Sequence, residues 1–233
     1  TNAVARPGAV VLGVVGAGAQ AVTQIHAISR VRPLARIIAT DANPAVAATL
    51  ADRLPAGLPP VEVVDADHFD QLVPELDVLC TCTSVPIGQG PVVDLADAGP
   101  WLHGNAVGAD FPGKVELRLE QLRTAVVIPD MVEQCLVEGE SQRLGREELG
   151  PDMVAVLGAD STAHLVGELT VFDSTGWSYE DLIAAQLFID HAERLGLGTE
   201  LDLQHAPADP YNPYELLGLD NSTDLVTPER AAS

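Results

Sequence analysis

Cysteine is scarce in this 233-residue sequence: there are only 3, Cys80, Cys82 and Cys135, too few and too odd in number for a disulfide framework. Cys80 and Cys82 sit inside an apolar, strand-like run, so buried thiols are expected. Basic charge is also scarce. The sequence sets 12 Lys and Arg against 34 Asp and Glu, and a formal charge of −22 repels phosphate backbones and anionic lipid. That excludes nucleic acid as a partner. Lys114 is the single lysine; an acidic, lysine-poor surface suits a high-salt cytoplasm, and a GC-rich genome would also exchange lysine for arginine. No run approaches the roughly 18 uninterrupted apolar residues of a membrane span, and residues 1–8 do not have the charged-then-apolar layout of a signal peptide. No membrane association and a cytoplasmic location are therefore expected. His26 reads as a packing or surface residue, and His103, His164 and His191 are scattered. No pair of histidines shows metal-ligand spacing with the cysteines, so no metal is expected. No serine sits in a G-x-S-x-G elbow, and a hydrolytic triad cannot be argued.

Apolar residues make up 47% of the chain, enough for a globular core. The stretch that organises the rest is residues 10–21, where a β-branched run breaks into Gly16-Ala17-Gly18-Ala19-Gln20-Ala21 and continues as a helix. A strand feeding a G-x-G-x-x-A turn lets the backbone approach a pyrophosphate at Gly16 and Gly18, while the helix opening at Ala19 and Gln20 turns free N–H groups toward the phosphates. A second strand over residues 35–40 ends at Asp41, about 20 residues after the turn, where an acid can hold a ribose diol. The alternative is a tight βα corner with Asp41 capping the helix that follows Pro44. The pattern then alternates: helix 44–54, a proline-rich turn, strand 61–64, short helix 67–74, and strand 77–82 ending in Thr83-Ser84-Val85-Pro86. Further strands are expected over 101–107, 125–129 and 168–172, with helices over 115–122, 131–139 and 179–195 and helical pieces such as 153–157. This is an α/β, Rossmann-type doubly wound, mostly parallel sheet with flanking helices over residues 1–203, followed by an irregular tail over 204–233.

Four stretches occur in an order that resembles the ornithine cyclodeaminase and mu-crystallin family: the Gly16 to Gln20 turn, the strand end over 77–83, Val107-Gly108-Ala109-Asp110 with Pro112-Gly113-Lys114 and Glu116-Leu117, and Phe172-Asp173-Ser174-Thr175-Gly176 with Glu180-Asp181. The third is the specific one. The resemblance implies a Rossmann domain binding NAD beside a second domain, and hydride transfer between the α-carbon of an amino acid or cyclic imine and the nicotinamide. It gives Asp110 the role of acid or base, since an amine must lose a proton before hydride leaves; from spacing alone Asp110 is equally a cap on the next helix. Lys114 would pair with Asp110 or position its loop. Thr83 and Ser84 would hydrogen-bond the cofactor, a plain turn being the other reading, and Ser174 and Gly176 would lie near the nicotinamide, where Trp177 fills a position usually small. In the family much of the substrate pocket and the dimer interface precedes the glycine turn, where this sequence has about nine residues. A homo-oligomer or a complex with a second chain is therefore expected. A nucleotide-bound binding or regulatory protein is the competing class.

Overall fold

The computed structural model describes residues 1–201 and 211. Contacts divide the chain into two compact units, Thr1–Leu182 and Ile183–Ser233. The first unit is built on a seven-stranded sheet in which β1 (Val11–Val15), β2 (Arg36–Thr40), β3 (Val61–Val63), β4 (Val78–Thr81), β5 (His103–Ala106), β6 (Val126–Pro129) and β7 (Thr170–Asp173) lie in the order β3-β2-β1-β4-β5-β7-β6. Every pairing is parallel. The chain steps outward from β1 to β3 and then returns to the opposite side of β1, which puts the switch of direction between β1 and β4. A parallel sheet needs both faces covered, and its central strands therefore read as near-continuous β-branched and aliphatic runs. β1, β2, β4 and β6 are such runs.

Helix α1 (Ala19–Val31) buries Ala21, Ile25 and Ile28 at helical spacing against one face, with Leu12, Val14, Ile37 and Ala39 beneath. On the other face Phe69 of α3 (Ala66–Leu72), Leu76, Leu79 and Leu102 form a second layer. The sheet's amino-terminal edge is closed by Asp77, whose buried carboxylate accepts from the N–H groups of Val10 and Val11 at 2.7 and 2.9 Å and pairs with Arg6. Arg6 also lies 4.8 Å from the Trp101 ring centroid.

Several expected elements come out shorter. Residues 44–54 split into α2 (Pro44–Ala48), capped by the Asn43 side chain, and a 3-10 turn, Ala51–Arg53. The helix expected over 115–122 is confined to α4 (Leu119–Leu122). Residues 115–118 are not helical because their main-chain groups are engaged elsewhere: Glu116 O accepts from Val92 N at 2.8 Å, and the N–H groups of Glu116 and Leu117 donate to Glu140. Helices α5 (Val132–Glu138), α6 (Met153–Gly158) and α7 (Ser178–Leu195) lie close to their expected positions, with α7 crossing the boundary between units. The boundary expected at 203 and the irregular tail over 204–233 fall outside the described residues, Tyr211 apart. Among the described residues no helix is long and apolar enough to cross a membrane.

Candidate dinucleotide and catalytic site

Parallel registration sets the carboxyl ends of the strands level. Thr40, Val15, Thr81, Ala106, Asp173 and Pro129 form one row across the sheet, each paired with its neighbour. The residue after each of these positions therefore opens onto the same edge, where ligands of doubly wound sheets bind. At the switch between β1 and β4 this edge holds a cleft of about 540 Å³, lined in part by Gly16, Gly18, Asp41, Thr83 and Ser84. Five of the expected cofactor positions are thus brought together.

Gly16 has φ +90°, and a Cβ there would come within 2.8 Å of the carbonyl oxygen of Cys82, so this position requires glycine on both counts. Gly18 needs no special torsion, φ being −74°, and nothing lies within 4 Å of where its Cβ would stand. The open space beside Gly18 is a cradle a side chain would fill. Helix α1 begins there with no side-chain hydrogen bond at its cap and no acid in its first turn, so the first-turn N–H groups, those of Ala19 and Gln20 among them, have no side-chain cap. This arrangement fits a pyrophosphate, by the positive helix end and the free donors together. The Asp41 carboxylate binds the glycine turn itself: Ala17 N–H donates to Oδ2 at 2.7 Å and Asn43 N–H to Oδ1 at 2.7 Å. Arg53 ties α2 to the same turn by donating to Ala17 O at 2.8 Å.

Farther along the edge, Asp110 is 59% exposed at its side chain and pairs with Lys114 at 2.8 Å. It caps no helix, since residues 111–118 contain no α-helix and α4 begins at Leu119 behind Arg118. Ser174 N–H donates to Ala106 O at 2.9 Å, and Gly176 N–H to Asp130 at 3.0 Å. Ser174, Gly176, Ala19, Gln20 and Asp110 do not line the cleft; Ser174, Gly176 and Asp110 belong to the loops after β5 and β7 on the same edge. Trp177 stacks its ring obliquely on Tyr179, centroids 5.4 Å apart. His103, inside β5, is wholly buried and hydrogen-bonded to Thr170 at 2.8 Å, and burial pushes its pKa down to about 3.

A set of buried carboxylates behind these loops went unassigned from sequence. Glu116 takes Thr83 N–H at 2.7 Å and Gly108 N–H at 2.9 Å. Glu140 takes the N–H groups of Glu116 and Leu117 at 2.5 and 3.2 Å. Asp173 takes those of Glu140 and Ser141 at 2.9 and 2.8 Å, and Asp130 takes those of Thr175 and Gly176. Each acid thus braces the segment that carries another acid or a site loop. Burial raises the pKa of Glu116; it pushes Glu140 up to about 8, with Glu116 and Asp173 adding to the rise, and Asp173 to about 6 against the hydrogen bonds from Ser141. The available signal was an acid directly after an apolar strand, as at Asp130 and Asp173.

L-lysine cyclodeaminase of Streptomyces rapamycinicus is 43% identical over 93% of this chain and 62% of its own length. A lysine cyclodeaminase structure superposes with a TM-score of 0.84 at 42% identity, over 91% of this chain and 61% of that one. The iminosuccinate reductase of Paracoccus denitrificans, solved in complex with NAD+, gives 0.75 at 32% identity over 87% and 62%. The chain thus spans about three-fifths of the relatives it matches. The model of the ornithine cyclodeaminase/mu-crystallin family covers residues 1–195, and the chain belongs to that family.

Proposed function

We propose that this chain forms the dinucleotide-binding part of an NAD(H)-dependent enzyme of amino-acid or cyclic-imine metabolism, of the cyclodeaminase or imine-reductase type. The observation that carries the reading is the open cradle at Gly18 over the uncapped start of α1, with Asp41 holding the turn beside it. The relatives in hand, a lysine cyclodeaminase and an NAD+-bound iminosuccinate reductase, support the same chemistry. When bound, the nicotinamide supplies the hydride acceptor or donor. Gly16 and Gly18 give the backbone its close approach, and Ala19 and Gln20 present first-turn N–H groups to the pyrophosphate. Asp41 accepts from ribose hydroxyls with the lone pairs its two backbone bonds leave over. Thr83 and Ser84 offer hydroxyls at the end of β4, and Ser174 and Gly176 border the nicotinamide. Asp110 takes the substrate ammonium proton, and Lys114, at 2.8 Å, orients that carboxylate.

Asp41 would repel a 2′-phosphate, so NAD(H) is bound in preference to NADP(H). Calorimetric titration with both dinucleotides tests the reading: tighter NAD(H) binding is expected, narrowed by Asp41→Ala, and equal or tighter NADP(H) affinity would overturn the preference. The apolar residues Leu182, Ile183, Leu187, Phe188 and Ile189 of α7 are each more than half exposed, which supports an assembled state, a homo-oligomer or a complex with a second chain.

A further inference from the structure

Glu116 makes none of the proposed cofactor or base contacts itself, yet it is wholly buried where the turns that follow β4 and β5 meet. Its carboxylate spans two strand ends: Oε1 accepts from Thr83 N–H, just beyond β4, and Oε2 from Gly108 N–H, just beyond β5. Gly108 leaves no room of its own, since a Cβ at that position would collide with the Glu116 carboxylate. Glu116 is itself fixed from behind, because Glu140 takes its N–H at 2.5 Å and Val92 donates to its carbonyl at 2.8 Å. The Gly108 carbonyl in turn accepts from Asp110 N–H at 3.1 Å, so the direction in which Asp110 leaves the strand depends on where Gly108 is held.

We infer that Glu116 is a positioning residue that ties the Thr83 turn to the Gly108–Asp110 turn, so that the cofactor contact at β4 and the candidate base after β5 are set together by one buried carboxylate. The inference rests on the reading of Thr83 and Asp110 given above. A carboxylate is the group this task requires: both of its oxygens accept, whereas an amide would keep one acceptor and turn a donor toward the other N–H. An N–H to carboxylate bond is among the stronger hydrogen bonds in a protein, and a buried donor left without it carries the desolvation cost as well.

Two arms on the 233-residue chain separate failure of this inference from failure of the cofactor reading. The first needs no ligand. In Glu116→Gln, amide hydrogen exchange at Thr83 or Gly108 should speed up by about tenfold or more, the scale of one lost charge-assisted bond, while β1 amides keep their protection. Unchanged protection at both residues, or equal loss across the whole sheet, would overturn the tie. In the second arm AMP reports the Gly16 and Asp41 end alone and NADH reports both ends. Glu116→Gln should weaken NADH about tenfold and change AMP affinity less than about twofold, a split that general destabilisation would not give. Equal weakening of both, or of neither, overturns the positioning role. If the unaltered chain binds neither nucleotide, the cofactor reading falls, and the exchange arm alone decides whether Glu116 couples the turns. Glu116→Asp, one methylene too short to span both N–H groups, should behave as Glu116→Gln; recovery of wild-type protection at both amides in Glu116→Asp counts against the inference.

Discussion

Asp110 and Glu116 belong to one motif and live in opposite surroundings, the first 59% exposed beside Lys114 and the second at 0% exposure among backbone donors. Asp110, exposed and with one oxygen engaged, is open to a ligand, whereas Glu116, buried with both oxygens engaged, presents no face to one. Asp110→Asn should therefore leave NADH affinity intact while turnover of an amino-acid or cyclic-imine substrate falls by about a hundredfold or more, the usual scale of general acid–base catalysis. Retained turnover would reduce Asp110 to a turn residue. Glu140 and Asp173 give a different kind of prediction. Their folded-state pKa values, about 8 and about 6, lie above ordinary carboxyl values, so the native state binds more protons than the unfolded chain between roughly pH 4 and pH 8. Their stabilising contribution is fully present below that window and is lost as pH rises through it. Between pH 5 and pH 8 the unaltered chain should lose Tm relative to Glu140→Gln, which removes the larger of the two carboxyl shifts; the comparison cancels the opposing contributions of His103 and the Thr1 amino group, whose pKa values burial lowers to about 3 and about 6. A difference that runs the other way, or that does not change with pH, would contradict the assignment.

At the level of elements, the turn between β1 and α1 separates two demands that the G-x-G pattern runs together. Gly16 is required by the fold, through its positive φ and the Cys82 carbonyl; Gly18 is required only by what occupies the cleft. Gly16→Ala should cost about 1–3 kcal/mol of stability, the usual price of a strained backbone, and be visible as a lowered denaturation midpoint. Gly18→Leu should melt like the unaltered chain and yet lose dinucleotide binding, because its side chain would stand in open space over the start of α1. Calorimetry of both variants against NADH checks this, and full NADH affinity in Gly18→Leu would remove the pyrophosphate from that position. The acid braces work at the same scale. They join the loops after β4, β5, β6 and β7, so this part of the sheet's carboxyl edge is braced by carboxylate to N–H bonds.

For the whole molecule, a sheet of seven parallel strands supplies a level edge, and the loops above it inherit their alignment from strand register. The exposed apolar side chains of α7, Phe188 at 76% among them, call for cover. Sedimentation should show an assembly larger than the 24.4 kDa chain, and a stable monomer active on an amino acid or cyclic imine would contradict the assembled state.

The sequence by itself determined the strands, the glycine turn and the helix after it, because strands buried on both faces must be written as β-branched runs and a tight βα corner must be written in glycine. It also placed Gly16, Gly18, Asp41, Thr83 and Ser84 at strand ends, and a parallel sheet brings strand ends together. Tertiary structure alone decided that residues 115–118 are not helical and that Glu116, Glu140, Asp130 and Asp173 brace the loops. Apart from the bond of Glu116 to Gly108, those bonds join residues 23 to 46 positions apart, such as Glu140 to Leu117 and Asp130 to Gly176. A hydrogen bond of that span leaves no periodicity and no neighbour pattern in the chain, and an acid destined for it looks like any surface acid until the sheet has aligned the loops around it.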